Sequence, residues 1–260
     1  MARPPDIQSI PNVHGHVAMI IFKNPDTDKH AIFVHFQHTG GSSIKEWIEE
    51  NFNVIYEPTD GVPIKIDKSG YWHKPLSFIN YFDIHTCFKF GFVRNPLDWY
   101  VTIWHKGLRK RNNMSFRDYV FTNPIDQLPY ETKYLRDIHK DRFPKDMGSF
   151  TVRFVMLFCD VARIFRMPNY RWVTEFKNLQ LADAIVPMEF GISYVLYKLL
   201  SETIELSSQH IESLRNFPKI NITKGKKHWT EYYDDDMVQE VLNRDRLIFN
   251  MFSNYKETFK

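Results

Sequence analysis

The chain has little cysteine, little net charge and no long apolar run, and each shortage narrows what it can be. Only Cys87 and Cys159 occur in 260 residues, both inside apolar runs (Thr86-Cys87-Phe88 and Leu157-Phe158-Cys159). A disulfide scaffold and a cysteine–histidine zinc cluster therefore find no support, and both thiols are expected to be buried. The net charge is +3, from 34 basic and 31 acidic residues. That is too weak to argue for a nucleic-acid partner, though it suits a pocket for a small polyanion. The longest apolar stretches are interrupted by Arg or Lys and fall short of a membrane span. The opening Met1-Ala2-Arg3-Pro4-Pro5-Asp6 lacks the apolar segment of a secretory signal. The expectation is a soluble, cytoplasmic chain without a membrane partner. Repeats and low-complexity tracts are also missing. What is present, 43% hydrophobic and 16% aromatic residues, is the composition of a folded globule.

Length and patterning favour one α/β domain over residues 1–260. Residues 1–15 read as a loose arm. Val17-Ala18-Met19-Ile20-Ile21-Phe22 reads as an edge strand, residues 24–28 as a turn and residues 31–36 as the next strand. Ile44, Trp47, Ile48 and Phe52 form the stripe of a helix packed on a sheet. Phe88-Lys89-Phe90-Gly91-Phe92-Val93 reads as a second buried strand. Asn95 then suits an N-cap and Pro96 the first helical position. Ser115-Phe116-Arg117-Asp118 opens a further helix. Residues 122–186 read as a substrate-facing excursion. Ile192 to Ile204 and Met237 to Phe252 carry two more helical stripes. Strands alternating with helices predict a central, mostly parallel sheet covered on both faces.

Two strand-to-helix junctions carry the chemistry. In the first, His35-Phe36-Gln37-His38-Thr39-Gly40-Gly41-Ser42-Ser43 joins a buried strand to an amphipathic helix. Glycines let backbone N–H groups close on an anion, and the helix dipole adds positive potential. A Walker A loop would need lysine after the second glycine, where Ser42 stands. The second junction offers Arg94, suited to a bidentate grip on phosphate, with Thr102 eight residues later. Both fall at the carboxyl ends of strands, where open parallel sheets bind ligands. A ligand with two separated phosphate-like groups is implied.

These motifs resemble those of sulfotransferases that use 3′-phosphoadenosine 5′-phosphosulfate (PAPS). The run from His35 to Ile44 is similar to that family's 5′-phosphosulfate loop (His-Ile-Pro-Lys-Thr-Gly-Gly-Thr-Ser). Phe92-Val93-Arg94-Asn95-Pro96 with Thr102 is similar to its 3′-phosphate motif. His73-Lys74-Pro75-Leu76, Pro187-Met188-Glu189-Phe190 and the segment Asn221 to Asp234 resemble further steps of the carbohydrate-type branch. The resemblance implies a P-loop-like sulfotransferase architecture and sulfuryl transfer from PAPS to an acceptor hydroxyl, of a saccharide or other polyol. PAP would be the product, and no metal is required by the scheme. It implies donor binding by His38, Thr39, Gly40, Gly41, Ser42, Ser43, Arg94, Thr102, Lys226 and Lys227. His73 is the candidate general base, with His105, His85 and Glu189 as other options.

In one respect the chain departs from the pattern. The family's loop lysine is His38 here, and the preceding proline is Gln37. An adjacent phosphosulfate would favour the charged imidazole, so His38 is expected to donate to the leaving phosphate. Simpler readings stand beside these assignments. Arg94 can pair with Asp98 across one helical turn, Lys224, Lys226 and Lys227 can form a solvated run, and Glu189 can cap a helix. Two other functions stay open: a nucleotide-binding homologue that lost transfer with the lysine, and a P-loop-like small-molecule kinase. The kinase is disfavoured by the absent Gly-Lys-Ser/Thr.

Overall fold

A computed structural model of the chain describes residues 19–55, 76, 86–108, 114–122, 143–168, 170–218 and 225–257. Its strands are β1 (Met19–Lys23), β2 (His30–Val34), β3 (Asn53–Ile55), β4 (Phe88–Val93) and β5 (Ala184–Pro187). The first helices are α1 (Gly41–Asn51), α2 (Pro96–Ile103), α3 (Phe116–Phe121), α4 (Ser149–Phe158), α5 (Val161–Arg166) and α6 (Trp172–Glu175). They are followed by α7 (Ile192–Thr203), α8 (Ser208–Arg215), α9 (Asp235–Arg244), α10 (Arg246–Met251) and α11 (Asn254–Glu257). The N-terminal arm, His73 and His85 lie outside the described residues, as do residues 57–72 and 123–142.

The strands form one sheet in the order β3-β1-β2-β4-β5. Successive side chains point to opposite faces, and both faces are covered. Ile20, Phe22, Ala31, Phe33, Phe90 and Phe92 pack under Ile44, Trp47 and Ile48 of α1 and Val195, Leu196 and Leu200 of α7. Ile21, Ile32, Val34 and Val93 face the other way, onto α2, α4, α9 and α10. Burial on both sides explains why β2 and β4 read as continuous apolar runs. The one charge in β4, Lys89, is buried and satisfied by Asp183 at 2.8 Å and the Cys87 carbonyl at 2.9 Å. Cys87 and Cys159 are both buried thiols. No helix among the described residues is long and apolar enough to cross a membrane.

The α/β class holds, but the sheet is mixed. β2–β4 and β4–β5 pair in parallel, whereas β1 pairs antiparallel with both β2 and β3. The reason is connection length: a parallel pair needs a crossover of about a dozen residues. The short turn after Lys23, with Asp28 N–H donating to the Asn24 carbonyl at 3.0 Å, allows only a hairpin. β1 is an inner strand, not the edge expected, because β3 pairs with its other side and takes the edge.

Two further expectations change. The stretch 122–186 is in part core: every residue of α4 is buried, and β5 is a sheet strand. The final stripe is two helices, broken at Asp245, which is fully buried. Its carboxylate accepts from the Thr151 N–H and hydroxyl at 2.8 and 2.7 Å and from the Tyr100 hydroxyl at 2.9 Å. Asp245 thus caps α4 from a distant part of the chain, supplying an acceptor where Gly148 has no side chain.

Candidate functional site

β2 and β4 are parallel neighbours, so their carboxyl ends lie side by side and the two junctions meet. At the β2–α1 junction, His35 and Thr39 are buried, and the Thr39 hydroxyl donates to the Phe36 carbonyl at 2.6 Å. The chain then turns through two left-handed residues, His38 at φ 63° and Gly40 at φ 80°. Gly40 is the N-cap of α1, which has neither a side-chain cap nor an acidic residue in its first turn. A Cβ on Gly41 would lie 1.9 Å from the His35 ring, so only glycine lets the helix start this close to the strand end. Ser42 and Ser43 follow in the first turn of α1. Positive helix potential thus opens toward the sheet edge without an internal counter-charge.

The β4–α2 junction is built differently. Asn95 caps α2 by accepting from the Leu97 N–H at 3.0 Å, and Pro96 occupies the first turn, as the sequence predicts. Arg94 donates through Nε to Asp98 Oδ2 at 2.5 Å, so the ion pair across one turn does form. The same guanidinium also donates through Nη1 to Thr102 Oγ1 at 3.3 Å and to the His38 carbonyl at 3.1 Å. Arg94 therefore ties the two junctions together. Lys226, far along the chain, joins the cluster through Asp98 Oδ1 and through Thr102 Oγ1 at 3.2 Å. Its ammonium pKa is lowered by burial first and by Arg94 second, against the opposing pull of Asp98 and Glu189.

Further positive charge gathers around His38. A π-helical turn, Trp104–Leu108, continues α2 and carries Lys106. Burial, Arg94 and Lys226 lower the Lys106 pKa. The His38 pKa is held well below its usual value, by desolvation and then by Lys106, Arg153, His35 and Arg94. With its pKa below 6.5, the imidazole is neutral near pH 7. Titratable groups that depress one another at one place mark a candidate functional site.

Sequence reasoning missed Lys106 and Arg153. Arg153 sits in the middle of the apolar helix α4 and is 5% exposed. Its Nη1 donates to the Gln37 side chain, and its guanidinium carbon lies 5.5 Å from the Trp99 ring centroid. The available signal was one charge inside an otherwise apolar helical run.

Other assigned residues stand apart. Lys227 is exposed and pairs with Glu231 at 3.0 Å. Glu189 acts as a tie: Oε1 accepts from the Asn95 N–H at 2.8 Å and Oε2 from the Tyr255 hydroxyl at 3.2 Å. His105 lies beside the Trp104 and Tyr232 rings. His73 is outside the described residues. Among the described residues no group of three or more His, Cys, Asp or Glu is placed to hold a metal ion. What the chain brings together, at the carboxyl ends of β2 and β4, is His38, Thr39, Gly40, Gly41, Ser42, Ser43, Arg94, Thr102 and Lys226. Comparison with protein-family models, curated proteins and solved structures returned no match.

Proposed function

We propose that the chain transfers the sulfuryl group of PAPS to an acceptor hydroxyl, of a saccharide or other polyol, releasing PAP. The observation that carries this reading is Arg94, which reaches both Thr102 and the His38 carbonyl and so ties the two strand-to-helix junctions together. A donor with a 5′-phosphosulfate and a 3′-phosphate asks for that pairing. Arg94, Thr102 and Lys226 would hold the 3′-phosphate, remote binding energy that fixes the donor in register. The start of α1, with Ser42 and Ser43, would stabilise charge on the 5′-phosphate as it departs. The acceptor oxygen forms a bond to sulfur as the sulfur–oxygen bond to the 5′-phosphate breaks, in line, and its proton passes to a base. His73 is proposed as that base on the sequence pattern.

A second reading, donor binding without transfer, draws on the neutral His38. Calorimetric titration with 3′,5′-ADP (PAP) and with ATP-Mg²⁺ tests the site. Tight, metal-independent binding of 3′,5′-ADP is expected, and preference for ATP-Mg²⁺ sinks the proposal. A labelled-sulfate transfer assay over glycans and small alcohols separates transfer from binding alone. A His73→Ala chain that transfers at the full rate removes His73 from the base's role.

A further inference from the structure

The loop from His35 to Ser43 contains no lysine or arginine. His38 feels the charges of Lys106, Arg153, His35 and Arg94, which with burial hold its imidazole neutral. If an anion settles at this junction, the fixed charge that meets it has to come from another element. Among the described residues, and apart from Arg94 with its tie to Asp98, two candidates act on His38. Lys106, on the α2 extension, is the largest charge influence on His38 and is itself depressed by Arg94 and Lys226 of the β4–α2 cluster. Arg153 belongs to the first junction. Its guanidinium donates to the side chain of Gln37, the residue directly before His38, and the Gln37 carbonyl accepts from Trp99 Nε1 at 3.0 Å. Gln37 is thereby held at both its side chain and its backbone, with the guanidinium 5.5 Å from the Trp99 ring centroid.

We infer that Arg153, reaching in from α4, supplies the fixed positive charge of the β2–α1 junction and receives the 5′-side anion of the nucleotide, a phosphate or phosphosulfate ester. The inference rests on the proposed donor and adds a residue that the loop motif does not contain. Arginine suits the position. It stays charged when desolvated, its planar fork serves Gln37 and an oxyanion at once, and it packs on an aromatic ring. At 5% exposure the charge acts through a poorly screened medium, which strengthens its pull on an anion beside His38. Gln37, where the resembling loop has proline, provides the acceptor that aims the guanidinium.

The test compares two nucleotides on the full chain by calorimetry: 3′,5′-ADP, with both anions, and adenosine 3′-phosphate, which lacks the 5′ one. Arg153→Met is expected to weaken 3′,5′-ADP about tenfold or more and leave adenosine 3′-phosphate within about twofold. Arg94→Met is expected to weaken both. Adding His38→Lys to Arg153→Met should restore much of the 3′,5′-ADP affinity. An Arg153→Met chain that binds both nucleotides like the wild type, or loses both equally, overturns the inference and leaves the proposed donor standing. Wild-type protein that binds neither nucleotide overturns the proposed donor and the inference with it. Should Arg153→Met not fold, the guanidinium ¹⁵N resonances of the unaltered protein decide. Those of Arg153 are expected to shift with 3′,5′-ADP and not with adenosine 3′-phosphate, and a silent Arg153 rejects its role.

Discussion

The β2–α1 and β4–α2 junctions sit side by side on one sheet edge and handle charge in opposite ways. At β4–α2 the cations come with a counterion: Asp98 binds both Arg94 and Lys226, and Asn95 caps the helix. At β2–α1 the helix start has no side-chain cap and no first-turn acid, and the nearest imidazole is neutral under the influence of surrounding cations. One junction keeps its geometry without ligand because its charges are already satisfied. The other gathers cations, among them Lys106 and Arg153, beside a helix start with no first-turn acid. A two-anion ligand would be positioned by the first and drawn in by the second.

The comparison breaks most severely at Gly41. Gly41→Ala places a methyl against the His35 ring, an overpacking expected to lower stability by about 1–3 kcal/mol. The loss of 3′,5′-ADP affinity should exceed that of adenosine 3′-phosphate, because only the first junction is disturbed. Urea unfolding and calorimetry measure the two effects.

Asp98→Asn sharpens the comparison from the other side. Without the carboxylate, Arg94 and Lys226 lose the counterion they share. Adenosine 3′-phosphate is expected to bind a few-fold more tightly at low salt, the gain shrinking as salt screens it. The Lys226 pKa should fall further, because Asp98 is one of the groups holding it up.

The smallest effect concerns pH. The His38 pKa is lowered on folding, so its contribution to stability is complete above about pH 6.5 and is lost as pH falls through the depressed value. Asp245 opposes it. Burial raises its carboxyl from 3.8 to about 6, so its contribution is complete below 3.8 and lost as pH rises through about 6. His38→Asn is expected to remove the first dependence and leave the second, making the chain relatively more stable at pH 5 than at pH 7.5. Urea unfolding of both proteins at the two pH values checks the sign.

Local chemistry made much of this architecture readable in the sequence. The α1 stripe, the Asn95–Pro96 helix start and the Arg94–Thr102 spacing depend on residues within two or three turns of one another, and all three recur in space. Long-range pairing was harder to read. Lys226 and Lys227 are neighbours in one basic run, and nothing local tells which faces Asp98 and which faces Glu231. Arg153 is brought to Gln37 from 116 positions away, through the packing of α4 on the sheet. The direction of β1 was legible from its short turn, whereas β3 carries only a three-residue strand with little pattern.

The sheet register also has a kinetic consequence. Ala31 must find Phe88 and Phe90 must find Ala184 before either junction has its neighbours. Such distant pairings close late, because the entropy of long loops is lost before their contacts form. A segment spanning β2 and α1 alone would carry the glycines and the helix start, yet none of the four surrounding cations Arg94, Lys106, Arg153 and Lys226. Under the proposed function, anion affinity would belong to the finished fold, and a ligand seated there would act as a brake on unfolding rather than a guide to folding.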